Sequence, residues 1–294
     1  MSPLEANQVI PWKRFWCRFG ESIDVGDKEA GFLTDPEATG FYRVFNSSLL
    51  SLGELLSEPC LVLCGDPGMG KSTELQQCSD KLKSLGGTLI EGDFRDVPSD
   101  AVFIRRTFDS PEWKAWQAGD GKLVLVVDGV DEGMIKIPDF LSFLRSELRS
   151  QPISRLQLIL ACRSAEWPQN EGQQLLNLWG AKEKQPIYEL CPLRQCDAEL
   201  AAQARGMDGR TFIEAAYQQK VVGLAALPTT LFFLLAEFRI GGQFSGTHRE
   251  LYERGCERLA QEPDVRRQEN LRRRATPARA STQKEIFEAA SRLA

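Results

Sequence analysis

One histidine, His248, stands in a chain of 294 residues. The eight cysteines include no C-x-x-C pair. With so few imidazoles and no paired thiol spacing, the usual donor sets for zinc are missing, and a zinc centre is not expected. Cys60, Cys64, Cys162 and Cys191 fall in apolar runs and read as buried, reduced thiols of a cytoplasmic protein. Long hydrophobic stretches are also missing. The longest, Leu123–Val127 and Leu231–Ala236, fall far short of the roughly 20 residues that span a bilayer. Near the N-terminus, Lys13, Arg14 and Arg18 interrupt the aromatic residues, so no signal-peptide core forms there. No membrane partner is expected, and the expected location is the cytoplasm. An excess of positive charge is absent too. Lys plus Arg number 36 against 41 Asp plus Glu, for a net charge of −5, so the overall balance gives no argument for a nucleic-acid partner.

What is present is an alternation of short apolar runs and helical patterns. Residues 1–40 are mixed in character and read as an N-terminal extension of low regularity. Apolar spacing over 41–58 suggests a helix closed by Pro59. Cys60–Cys64, Thr88–Glu91, Leu123–Val127, Leu156–Cys162 and Ile187–Cys191 read as strands. Helices are expected over about Lys71–Leu85 and Phe140–Ser150. Such alternation predicts an α/β fold, a three-layer αβα parallel sheet. After Cys191 the strand signals stop. Asp197–Arg205, Thr211–Gln219, Thr229–Phe238 and His248–Ala260 read as helices of a smaller, all-helical domain. The expected division is therefore 1–40, an α/β core over 41–192, a helical lid over 193–261, and an Arg-rich linker with the start of a further helix over 262–294. No internal repeat is visible.

Three segments carry chemistry. Gly65-Asp66-Pro67-Gly68-Met69-Gly70-Lys71-Ser72 satisfies the P-loop pattern G-x-x-x-x-G-K-[ST] in full. Its glycines let the backbone curl so that successive N–H groups face one anion, and the helix that follows adds the positive end of its dipole. Lys71 is expected to reach the phosphates, Ser72 to ligate Mg²⁺, and Thr73 to join the nucleotide-binding set. Composition alone yields this pattern in about one chain in a hundred, and the strand before it and helix after it are the context the motif requires. The second segment is Leu123–Val127 followed by Asp128-Gly129-Val130-Asp131-Glu132. A carboxylate ending a buried strand lies at the sheet edge where α/β ligands bind. Asp128 is the candidate for the metal, and Asp131 or Glu132 for activating water. Third, Leu156–Cys162 leads into Arg163, whose guanidinium suits either the γ-phosphate or a nearby carboxylate.

These segments, in this order, resemble the NACHT branch of the STAND class of signal-transducing P-loop ATPases. Asp128–Glu132 looks like that family's extended Walker B motif, and Ala161-Cys162-Arg163-Ser164 like its sensor 1 segment. Gly223-Leu224-Ala225-Ala226-Leu227-Pro228, running into Thr229–Leu235, is similar to the segment in which a proline approaches the nucleotide. In place of the commoner polar residue before that proline, this chain has Leu227. The resemblance covers about residues 41–260. It implies a five-stranded parallel sheet with one strand inserted between the P-loop and Walker B strands. It also implies a switch that is closed with ADP and opened by ATP, with Mg²⁺ as cofactor and with protein partners or self-association. Bacterial defence against phage is a setting the resemblance suggests. Such proteins continue into a winged-helix domain and a repeat sensor, whereas this chain stops where the first helix of the winged domain would lie, so either it is a truncated piece or the partner functions lie elsewhere.

Two other classes compete. A remodelling ATPase of the AAA+ type would require an arginine presented to a neighbour, for which 266–274 is the candidate stretch. A nucleotide-locked interaction module would bind ADP without turnover. The remaining features have plainer explanations. Trp12, Phe15, Trp16 and Phe19 are expected to pack on the core rather than form a membrane-facing surface. The arginines of 262–280 read as a solvated face.

Overall fold

The computed structural model describes residue 10, residues 12–25, 31–38, 46–84, 86–94, 97, 99–137, 139–180, 185–239, 241–247 and 249–254. The fold divides into two compact units. One holds residues 13–24 and 35–191, the other residues 1–12, 25–34 and 192–294.

The first unit is built on a sheet with strands β1 (Trp16–Arg18), β2 (Cys60–Cys64), β3 (Thr88–Asp93), β4 (Leu123–Asp128), β5 (Leu156–Ala161) and β6 (Ile187–Leu190). Their order across the sheet is β1-β6-β2-β5-β4-β3. All neighbours run parallel except β1, which pairs antiparallel with β6. Helices α1 (Leu52–Leu55), α2 (Lys71–Ser84), α3 (Asp100–Arg106), α4 (Pro111–Ala118), α5 (Val130–Lys136), α6 (Phe140–Arg149) and α7 (Gln169–Leu176) join these strands. The α/β class expected from the sequence is what forms.

Central strands β2, β4 and β5 are near-continuous apolar runs because helices cover both faces of a parallel sheet. Cys60–Cys64 is buried at every position. The strand after the P-loop, β3, lies at the edge, and its exposure is correspondingly mixed. Strand β5 sits between β2 and β4, the inserted position that the resemblance implied.

Two expectations need correction. The sheet gains a sixth strand from residues 16–18, inside the supposed irregular extension. Trp16 pairs with Leu190 and also bridges to Leu50. Nor do residues 46–58 form one helix. Asn46 has a left-handed backbone with φ of 59°, and the helix begins only at Leu52. Ser51 starts it through a capping box with Glu54, so the apolar residues upstream pack as turn and bridge positions. Residues 41–45 lie outside those described.

The core beside β3 and β4 is aromatic. Phe94 stacks on Phe103 with ring centroids 4.8 Å apart and meets Phe140 edge-on at 4.6 Å. Phe94 also fixes α5. A Cβ added at Gly133 would lie 2.7 Å from the Phe94 ring, too close for any side chain. Gly133→Ala therefore sets two effects against each other. Alanine favours a helix by about 1 kcal/mol over glycine. Overpacking against a ring that is itself held by two others costs about 1–3 kcal/mol. The clash should win, and urea unfolding is expected to show a loss of about 1 kcal/mol. A gain would mean that the Phe94 cluster yields.

The second unit contains α8 (Gln195–Gln203), α9 (Gly209–Gln218), α10 (Val222–Ala225) and α11 (Pro228–Arg239). Pro228 opens α11, a position where its missing N–H costs no helical hydrogen bond. Phe212, Phe238 and Phe244 pack around one another in its core. At the start of α8, Asp197 is buried and accepts from Arg194 Nε and Nη2, both at 2.9 Å. Residues 255–294 lie outside those described, and with them the Arg-rich stretch and the last part of the fourth expected helix.

The N-terminal aromatics pack as expected. Phe15 and Trp16 are buried, and Phe19 packs against the α/β core. In the helical unit Trp12 stacks on Phe232 at 5.4 Å and donates to the Asp197 carbonyl. No described helix is long and apolar enough to cross a membrane.

Candidate functional site

The site grows out of the end of β2. Cys60–Cys64 delivers the chain to the sheet edge, Gly65–Gly70 turns, and α2 starts at Lys71. Gly65, Gly68 and Gly70 have φ values of 154°, 80° and 92°, the last two in the left-handed region that favours glycine. The described P-loop thus has the curled backbone the motif requires. Its rim residues Asp66 and Pro67 are exposed, whereas Met69 is buried.

Lys71 bends back over its own loop. Its ammonium donates to the Gly65 carbonyl and, at 3.2 Å, to that of Asp66. Burial pushes the Lys71 pKa down, and Asp128 and Asp131 push it partly back up. Those carboxylates are therefore the charges the ammonium feels most. A partly buried cation held by carbonyls gains when an anion arrives, because burying a charge is costly until it is paired. Ser72 and Thr73 follow in the first turn of α2.

Strand β4 ends at Asp128, whose Oδ1 accepts from the Gly129 N–H at 2.9 Å. Gly129 caps α5 with φ of 71°. That turn places Asp131 and Glu132 in the first turn of α5, with Asp131 buried and Glu132 partly so. β5 brings the third segment. Asp131 Oδ2 forms an ion pair with Arg163 Nε at 2.9 Å, and Asp131 Oδ1 accepts from the Arg163 backbone N–H at 3.3 Å. Both oxygens of Asp131 are thereby engaged. The Arg163 side chain is 46% exposed and Asp131 only 10%, so the arginine can leave for solvent or ligand while the carboxylate stays in place.

Two thiols lie under this edge. Burial raises the pKa of Cys162 to about 12 and pushes that of Cys64 higher still. Both remain neutral thiols at ordinary pH, which removes them as nucleophiles.

Lys71, Asp128, Asp131 and Arg163 are thus brought together at one sheet edge. Pro228 belongs to the helical unit. Sequence reasoning missed two contributors, Glu189 and Arg14. Ser164 donates to the Glu189 carboxylate on β6, and Glu189 stands opposite Cys64 in the β2–β6 ladder. Arg14 reaches the P-loop itself. Neither is marked by any local motif.

The chain has a P-loop-like α/β fold, a largely parallel six-stranded sheet with the Gly65–Ser72 loop between β2 and α2. No family model matches it, and no curated protein does. Among solved structures it is similar to a Walker-type ATPase of Pyrococcus abyssi, at 15% identity over 76% of this chain and 74% of that one, with a TM-score of 0.43. It is also similar to domain III of the replication initiation protein DnaA of Thermotoga maritima, at 15% identity over 68% and 85% of the two chains, with a TM-score of 0.40. C. elegans PCH-2 matches at 11% identity over 70% and 61%, with a TM-score of 0.38. These likenesses carry no argument about substrate, partners or assembly.

Proposed function

We propose that this chain is an ATP-binding, slowly hydrolysing switch of the NACHT type, acting with Mg²⁺ in the cytoplasm. The observation that supports it is the Arg163–Asp131 ion pair, 2.9 Å long, beside the P-loop and the acidic end of β4. A half-exposed guanidinium resting on a nearly buried carboxylate has an alternative partner only when a further anion, such as a γ-phosphate, enters the site. Arg163 then trades Asp131 for the phosphate, and the nucleotide state is written into the position of the loop after β5.

The residues fit a magnesium nucleotide. The P-loop amides and Lys71 would hold the phosphates, and the Ser72 hydroxyl and Asp128 would hold Mg²⁺, an ion that keeps most of its waters and needs few protein ligands. Bound there, Mg²⁺ would neutralise charge on the phosphates. In hydrolysis a water oxygen bonds to the γ-phosphorus, the bond to the bridging oxygen breaks, and Glu132 takes the water's proton. Glu132 stands in the first turn of α5, and Asp131, held by Arg163 through both oxygens, is the alternative base.

Arg163→Ala tests this reading. Only ATP offers the γ-phosphate, so the ratio of ATP to ADP affinity should fall about tenfold, the worth of one charge-assisted hydrogen bond. Calorimetric titration of the wild type and variant with each nucleotide measures it. An unchanged ratio would make the ion pair purely structural and remove the main support for a switch.

A further inference from the structure

The arginine of the N-terminal segment has a position that packing alone does not require. Arg14 is 5% exposed. Its Nη1 donates to the Met69 carbonyl at 2.8 Å, and its Nη2 to the Cys191 carbonyl, also at 2.8 Å. Met69 lies within the P-loop, 55 residues away in sequence, and Cys191 follows β6, 177 residues away. Burial raises the pKa of Glu74 in the first turn of α2, and the Arg14 charge offsets part of that rise.

Peptide geometry gives this contact a consequence. A trans peptide is planar, and its C=O and N–H point in opposite directions. The chain has no described cis peptide. The Met69 carbonyl belongs to the same peptide unit as the Gly70 N–H. Holding that carbonyl against Arg14 turns the Gly70 N–H the other way, away from the Arg14 guanidinium. Gly70, with φ of 92°, is free to follow because it has no side chain. An anion-binding loop requires such outward-tied carbonyls, since every N–H that faces the anion has a C=O facing away. A neutral donor would satisfy the carbonyl equally well. The cation does more, because it polarises the peptide and makes its N–H a stronger donor.

We propose that Arg14 is a positioning residue of the nucleotide site, fixing the Met69–Gly70 peptide so that the Gly70 N–H serves the phosphates of a nucleoside di- or triphosphate. This rests on the P-loop being the nucleotide site. The guanidinium is suited to the task because its planar fork offers two parallel donors at once. One arm takes the P-loop carbonyl and the other takes the Cys191 carbonyl just past β6, so the loop is referenced to the strand next to its own. The segment before β1 thereby belongs to the binding site, and is more than a leader to it.

The test compares wild type, Arg14→Met and Arg14→Lys by calorimetric titration with MgADP and by melting temperature with and without MgADP. Arg14→Met keeps an apolar stem and loses both donors. Its MgADP affinity should fall on the order of tenfold or more, as for loss of a hydrogen bond to a charged group. Its MgADP-induced rise in melting temperature should shrink with it, a change that loss of packing alone would not produce. Arg14→Lys keeps the charge but not the fork, and should lie between the two. Should Arg14→Met fail to fold, Arg14→Lys decides: a loss of about threefold supports the proposal, and wild-type affinity overturns it. Wild-type affinity in Arg14→Met overturns it while leaving the nucleotide reading intact. If the wild type itself does not bind MgADP, both fall.

Discussion

Lys71→Met should abolish tight binding of MgATP and MgADP while leaving the empty protein at least as stable as before. The two effects have one cause. Burial lowers the pKa of the Lys71 ammonium, and the first-turn position beside the P-loop glycines gives it only carbonyl partners in the described structure. A group whose folded pKa lies below its unfolded value reduces stability while it stays charged, and the penalty fades as pH rises and the proton leaves. Methionine keeps most of the stem and removes that penalty. The same change removes the one mobile cation of the loop. Charge-assisted hydrogen bonds are worth about 1.5–3 kcal/mol each, and Lys71 would make more than one to a polyphosphate, so a loss of at least about a hundredfold is expected. Calorimetry for affinity and thermal melting of the empty protein measure both halves. Equal affinity in wild type and variant would show that the P-loop does not bind nucleotide. A large drop in melting temperature would mean that the stem carries the fold.

The second large effect separates holding the nucleotide from cleaving it. Glu132→Gln should bind ATP nearly as the wild type does and hydrolyse it about 10²–10⁴ times more slowly, the usual worth of general-base assistance. A group that acts only on the attacking water contributes in the transition state and little in the ground state, so turnover should fall without affinity. Asp128→Asn should behave differently, with Mg²⁺-dependent binding and turnover falling together, because that carboxylate would serve the metal. Asp131→Asn gives a third pattern. Its charge is matched by Arg163 across 2.9 Å, so neutralising it releases the arginine and should favour ATP over ADP. Single-turnover hydrolysis with nucleotide titration on the three variants distinguishes these outcomes. Wild-type turnover in Glu132→Gln would remove it as the base. Turnover no faster than buffer in the wild type would favour a nucleotide-locked module.

Much of this was legible in the sequence because parallel strands are buried on both faces. Leu123–Val127 and Cys60–Cys64 are near-continuous apolar runs for that reason, and each is followed at once by the residue that begins a motif. Helix α4 was not read, although Ser110 caps it and Pro111 opens it, because Trp113 and Trp116 alone make a short apolar stripe. Strand β1 was missed since three residues cannot display a period of two. The helix expected over 41–58 had the right spacing for the wrong reason. Leu50 answers to Trp16, a residue far away in sequence, and not to its neighbours. Arg14 was the hardest to find. Its partners are backbone carbonyls, which leave no trace in residue identity, and they lie 55 and 177 positions away.

The antiparallel β1 also bears on how this chain avoids sticking to itself. A parallel sheet ends in two rows of unpaired backbone groups, each a template for another strand. At the β3 edge, exposed Thr88 and Glu91, the latter joined to Lys83, present charge and polarity to any incoming chain. The β6 edge is Ile-Tyr-Glu-Leu, with three of its four residues buried, and its one charge, Glu189, is only partly exposed and accepts from Ser164. Trp16–Arg18 occupies that edge. A fragment trimmed to begin at the P-loop strand would keep the motifs but bare that edge, and would fail colloidally as well as lose the Arg14 tie to the P-loop.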